Sequence, residues 1–158
     1  RISRDLRPGV LDDLGLGPAL KTLAEEFEAR TGITCVFETV VFRNRLDDEA
    51  KIALYRIAQE ALTNVERHAA ADRVEIDLRG HRRGGTLRIH DNGRGLSASR
   101  SAASPGLGLR NMQERMEQLG GTLVIREGKS QGTTIEATVP LSHMLQPENT
   151  KHPKVAAE

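Results

Sequence analysis

Glu60 and Asn64 stand four residues apart, a spacing that sets a carboxylate and an amide on one face of a helix. Arg67 follows three residues on, with His68 beside it. An acid, an amide and a cation thus line up on one side, although a solvated helix face has the same composition. In Asp91-Asn92-Gly93-Arg94-Gly95 a carboxylate at a strand end precedes two glycines one residue apart, which lets backbone pass close to a flat ligand. Gly106-Leu107-Gly108-Leu109 carries a second glycine pair where a loop opens into a helix, whose free N–H groups attract an anion. Gly132-Thr133-Thr134 leads into the last strand. Each stretch has a plain structural alternative: a turn after a strand, a flexible lead into a helix, a hairpin.

Familiar nucleotide and metal motifs do not account for these glycines. The third position after Gly95 is Ala98 and that after Gly108 is Asn111, so neither pair extends to the dinucleotide pattern G-x-G-x-x-G. Gly128-Lys129-Ser130 imitates the end of a phosphate-binding P-loop, but Leu123 occupies the position of its first glycine and a strand follows where a helix is needed. His81, His90, His143 and His152 have no paired metal spacing, and no serine sits in a nucleophile elbow.

The surrounding elements read as follows. Leu16, Leu20, Leu23 and Phe27 recur at helical spacing between Gly17 and Arg30, and β-branched and aromatic residues from Ile33 to Phe42 predict a strand. Asp47 or Asp48 caps a long helix that reaches His68, its apolar stripe running Leu54, Ile57, Ala58, Ala61, Leu62, Val65. Its opposite stripe is Arg56, Glu60, Asn64, Arg67. Alternation predicts strands over Arg73 to Arg79 and Thr86 to His90, joined by a turn from His81 to Gly85. A loop without periodicity runs from Asp91 to Pro105, and a third helix carries Leu109, Met112, Met116 and Leu119. Strands over Thr122 to Glu127 and Thr133 to Pro140 close the order. Five strands joined largely by short turns, with three helices that each need one face to bury a stripe, give a two-layer α/β (α+β) sandwich: a mixed, largely antiparallel sheet covered on one face.

Composition narrows the class of function. The 158 residues fit one domain, and 37% hydrophobic residues with 15 glycines are globular, not disordered. With 23 basic against 22 acidic residues, the chain has no overall charge footprint for nucleic acid or an anionic membrane. Cys35 alone excludes an internal disulfide framework and a four-cysteine zinc site, and it reads as buried strand filler. No apolar run approaches the roughly 18 residues of a membrane span. A beginning at Arg1, with charged residues to Leu6 that read as the last turns of a helix, suggests a piece of a longer protein.

Taken in order, Glu60 to His68, Asp91 to Gly95, Gly106 to Gly108 and Gly132 to Thr134 resemble the N, G1, G2 and closing-glycine boxes of the Bergerat-fold ATPase domain. That domain occurs in sensor histidine kinases, gyrase, the ninety-kilodalton chaperone and the mismatch-repair ATPases. Arg4-Asp5-Leu6-Arg7-Pro8 followed by Leu11-Asp12-Asp13-Leu14-Gly15-Leu16 is similar to the link between dimerisation helices and ATPase domain in nitrate-sensor-like histidine kinases. So is Leu107 to Met112, continuing through Glu114-Arg115 to Leu119-Gly120-Gly121. The resemblance covers roughly residues 1 to 141. Two positions depart from the pattern: Glu66, where an apolar residue is common, and Gly128-Lys129-Ser130-Gln131 before the last glycine.

The resemblance implies residues 1–15 as the end of a dimerisation helix and its linker, 16–141 as an ATP-binding catalytic domain of Bergerat fold, and 142–158 as a tail without structure. It implies that Asp91 accepts from the adenine amino group, where guanine would present an opposing acceptor. Gly93 and Gly95 pass beside the purine, Asn64 holds Mg²⁺ with Glu60 near it, and Glu60 orients or deprotonates the nucleophile. Arg67 and His68 lie near phosphate or lid, while Gly106, Leu107, Gly108 and Leu109 cradle phosphate, with Thr133 and Thr134 at the closing strand. The implied reaction passes the γ-phosphate of ATP to a histidine on a dimerisation domain of the parent kinase, itself a homodimer, for relay to a response regulator. Neither His68, in the ATP-side box, nor His90, at a strand end, suits the acceptor role. The implied location is cytoplasmic, with no membrane or nucleic-acid contact by this chain. An anti-sigma-type serine kinase, a mechanical dimer-clamp ATPase and an inactive ATP-binding scaffold are the competing readings; intact Glu60 and Asn64 weigh against the last.

Overall fold

Asp47 starts the longest helix of this computed structural model, which describes residues 15–40, 45–94, 107–127 and 132–145. Its carboxylate accepts from the Ala50 N–H at 2.9 Å, satisfying one of the free donors of the first turn of α2 (Asp48–Asn64). Ala50, Ala53, Leu54, Ile57, Ala58, Ala61 and Leu62 are buried along α2 at the spacing the sequence shows. The helix then passes directly into a π-helical turn, Val65–Ala69, and reverses through Ala70, which holds φ 53. α1 (Leu16–Thr31) buries Leu16, Leu20, Ala24 and Phe27, and ends at Gly32, whose N–H donates to the Glu28 carbonyl at 2.8 Å. α3 (Leu107–Gln118) buries Met112 and Met116.

Behind the helices lies a five-stranded sheet in the order β1-β3-β4-β6-β5, with β1 (Thr34–Val40), β3 (Arg73–His81), β4 (Gly84–Asp91), β5 (Thr122–Glu127) and β6 (Thr133–Pro140). β1 and β3 are parallel, joined through α2, and every other pair is antiparallel. Alternation decides the faces: Val74, Ile76, Leu78, Leu87, Ile89, Ile135, Ala137 and Val139 are buried under the helices. Arg88 sits among Asp77 and Glu136 on the open face, and Arg126 joins Glu136 at 2.7 Å. This is the two-layer sandwich expected, with α1, α2 and α3 as its helical layer. Cys35 is buried in β1, and burial, then the Glu28 charge, push its thiol up to about 11.

The turn between β3 and β4 is tighter than the expected His81 to Gly85, since both strands extend to pair His81 with Gly84. Gly84 holds φ 141, and a Cβ there would fall on the Val139 carbonyl of β6. The stretch from Ser142 on was expected to lack structure, yet its first four residues are built into the fold. Leu141–His143 forms a 3₁₀ turn, and β7 (Met144–Leu145) pairs antiparallel with β2 (Arg45–Leu46). His143 supplies the reason. Its Nδ1 lies 2.8 Å from Asp47 Oδ2, its Nε2 lies 2.9 Å from the Leu119 carbonyl, and its own carbonyl accepts from the Asp47 N–H. Residues 146–158 and 1–14, with the expected linker, lie outside the described residues.

Candidate nucleotide site

Asp91 ends β4 opposite Thr133, the first residue of β6. Among the described residues these are the two polar side chains that reach full burial, at 6% and 4% exposure. The Asp91 carboxylate accepts the Gly93 N–H at 2.8 Å and the Thr133 backbone N–H. Burial raises the Asp91 pKa, while those two N–H groups and the nearby His90 charge offset part of the rise. The loop after Asp91 is strapped to β6 by the Gly132 N–H, which donates to the Gly93 carbonyl at 2.6 Å. Only glycine fits at 132: φ is 67 and a Cβ would meet the Asp91 carbonyl. A buried carboxylate held in place by backbone N–H groups has lone pairs left with which it can accept a further donor.

The polar groups of α2 lie on the same side of the sheet, because α2 packs against β4 and β6. Glu60 and Asn64 are half-buried, and Asn64 makes no side-chain hydrogen bond to another described residue. Gly108, in the first turn of α3, rests against Glu60 so closely that a Cβ would fall on its carboxylate. The structure thus brings α2, which carries Glu60 and Asn64, against the first turn of α3. Leu107, Gly108 and Leu109 form the first turn of α3, which meets Glu60 at Gly108. Arg67 and His68 fall in the π-helical turn that follows α2, and Arg67 is exposed.

Thr134 is not brought to this side. Strand alternation turns it to the open face, where its Oγ1 lies 2.8 Å from His90 Nδ1. Gly95 and Gly106 lie outside the described residues, as does the departure at Gly128 to Gln131. The other departure finds a partner: Glu66 pairs with Arg30 of α1 at 2.7 Å, an exposed contact of small energetic weight. Sequence reasoning passed over Asn92, whose side chain links the loop after β4 to the start of β3. Its place inside Asp-Asn-Gly reads as a turn, and only the fold shows what the amide meets.

The described site thus consists of a buried carboxylate at the end of the central strand, a helix carrying Glu60 and Asn64 that packs against that strand, and a second helix whose Gly108 meets Glu60. The model of the histidine kinase-, DNA gyrase B-, and HSP90-like ATPases matches residues 49–143, more than half of the chain. The chain belongs to this family. It is accordingly an ATP-binding domain, and the match ends at His143, within the turn that the Asp47 contact orders. The sensor histidine kinase MctS of Rhizobium johnstonii is 46% identical over 90% of this chain and 31% of its own length. The oxygen sensor histidine kinase NreB of Staphylococcus carnosus is 35% identical over 89% of this chain and 41% of its own. The chain therefore spans about a third to two fifths of the length of these curated relatives. The histidine kinase domain of the blue-light activated kinase of Erythrobacter litoralis superposes with a TM-score of 0.61 at 26% identity, over 80% of this chain and 61% of that one. The ATP-binding domain of PrrB from Mycobacterium tuberculosis, at 19% identity and TM-score 0.62 over 79% of this chain and 93% of that one, shares the fold.

Proposed function

We propose that this chain is the catalytic domain of a sensor histidine kinase, passing the γ-phosphate of ATP to a histidine on a dimerisation domain for relay to a response regulator. The observation that carries the nucleotide side is the buried Asp91 carboxylate, held by the Gly93 and Thr133 N–H groups. In this reading Asp91 accepts from the adenine amino group, and Gly93 and Gly95 leave room for the purine. Asn64, with Glu60 near it, fits Mg²⁺, since its amide oxygen is a hard donor with no partner among the described residues. A bound Mg²⁺ would neutralise phosphate charge. Backbone N–H groups at Gly106 to Leu109 cradle phosphate at the opening of α3, with Arg67 and His68 toward the phosphate side and Thr133 beside Asp91, while Thr134, turned to the open face of the sheet, takes no part.

Phosphoryl transfer asks mainly for placement and charge neutralisation, so few groups suffice. A lone pair on the acceptor imidazole nitrogen forms the new P–N bond while the bond from γ-phosphorus to the bridging oxygen breaks, and ADP leaves with that electron pair. Glu60, whose carboxylate occupies the space that a Cβ on Gly108 would take, is the group that in this reading orients the ring or takes the proton from its other nitrogen. Calorimetric titration of the 158-residue chain with Mg-ATP and Mg-GTP tests the site. Measurable binding with ATP favoured is expected; equal affinities, or no binding of either, would remove the adenine assignment.

A further inference from the structure

Asn92 uses every polar atom of its amide on one neighbouring segment. Its Oδ1 accepts the N–H groups of Asp72 and Arg73 at 3.0 and 3.1 Å, and its Nδ2 donates to Asp72 Oδ1 at 2.7 Å. Its backbone N–H donates to the Arg73 carbonyl at 3.2 Å. Asp72 is two residues past Ala70, where the chain leaves the π-helical turn in a left-handed conformation, and the Asp72 carbonyl also receives the Thr34 N–H that starts β1. One side chain therefore ties the loop after Asp91 to the short segment that ends the helix carrying Glu60 and Asn64.

We infer that Asn92 is a positioning residue that sets the spacing between Asp91 and the polar face of α2. The inference rests on the nucleotide site proposed above. The loop is already fastened on its other side by the Gly132 to Gly93 bond, so Asp91 keeps its place against β6 without Asn92. Toward β3 the β3–β4 ladder ends where Asp91 pairs with Val74, and the Asn92 side chain carries the fastening past the ladder to Asp72, the last residue before β3 on the side of α2. A ligand that touches Asp91 alone is indifferent to that spacing, whereas a ligand spanning from Asp91 to Asn64 depends on it, because misplacement at one end forfeits contacts at the other.

The test compares two probes, AMP and Mg-ADP, on the 158-residue chain by titration, with thermal melts beside them. Asn92→Ala is expected to lower Mg-ADP affinity about tenfold while AMP affinity moves within about twofold. Asn92→Asp should behave alike, since it sets a second carboxylate against Asp72 in place of the donor at 2.7 Å. Adding Asp72→Asn to Asn92→Asp exchanges the two side chains, regenerates donor and acceptor, and should bring Mg-ADP affinity back to within about twofold of the original. Equal losses for both probes, or no recovery in the exchanged pair, would overturn the positioning role even where the single variants melt early. If the unaltered chain binds Mg-ADP no better than AMP, the reading of Asn64 as a phosphate-side group fails, and this inference with it.

Discussion

Asp91 carries a cost that an inert residue would not. Its pKa is raised chiefly by burial, so its contribution to stability is present below the unfolded value of about 3.9 and lost as pH rises through the higher folded value. At neutral pH the charge therefore weighs on the empty domain. Asp91→Asn is expected to melt no earlier than the original chain while ATP affinity falls at least about tenfold, the scale of one buried charge-assisted hydrogen bond. Melting and titration on the same sample check both halves; unchanged affinity would strip Asp91 of the adenine contact. Asn64→Ala should likewise leave the melt near its original value, since the side chain has no partner among the described residues, and should make nucleotide affinity insensitive to Mg²⁺. A persistent Mg²⁺ effect would place the ion elsewhere. Asp91, Glu60 and Asn64 were singled out in the sequence by residue type and spacing, and the roles proposed for them came from the family resemblance. Asn92 and the outward turn of Thr134 were not legible there: one depends on a segment 20 residues away, the other on which strand face meets the helices.

Helices and strands followed from periodicity because burial on one face imposes it, and α1, β5 and β6 lie where that pattern sets them. The order of the strands and the parallel β1–β3 pair were less legible, since a periodic strand does not name its neighbour. The last ordered turn was hidden for a similar reason: His143 looks like a lone polar residue until Asp47 and Leu119, 96 and 24 residues away, close on it. Both of its ring nitrogens face oxygen acceptors, and a neutral imidazole has one N–H to offer, so the clasp calls for the protonated ring. Burial lowers its pKa, but the Asp47 hydrogen bond and charge, the Leu119 carbonyl and the Glu49 charge outweigh it, and the net direction is upward. With the folded value raised, the stabilisation is complete below the unfolded value of about 6.5 and fades as pH rises through the folded one. Melting temperature should therefore decline on the alkaline side of about pH 6.5, and His143→Gln should lower it at acidic pH and flatten that decline. A slope equal in the variant and the original chain would assign the titration to another group.

At the scale of the whole molecule, a near-neutral chain says little about partners, and the positions of its histidines say more. His81 Nε2 is 2.8 Å from Thr86 Oγ1 and His90 Nδ1 is 2.8 Å from Thr134 Oγ1, both on the open face of the sheet, away from α2 and α3. His143 is held between Asp47 and Leu119. None of these three faces the border formed by Glu60, Asn64 and Gly108, and most of the length of the similar kinases lies beyond what this chain matches. The chain by itself is therefore expected to bind ATP without acquiring phosphate on these histidines. Adding a histidine-bearing helical dimerisation domain in trans should give weak labelling of that domain, because an untethered acceptor loses the effective concentration, often millimolar, that a covalent link supplies. Radiolabelled ATP is incubated with the chain alone, with the chain plus that domain, and with the same pair carrying Glu60→Gln. Acid-labile label confined to the added domain and slowed about a hundredfold or more by Glu60→Gln is the expected pattern, the range in which a general base contributes. Acid-labile label on the chain alone would return the acceptor to this sequence, and acid-stable label on a serine of an added protein would transfer the assignment to the serine kinases.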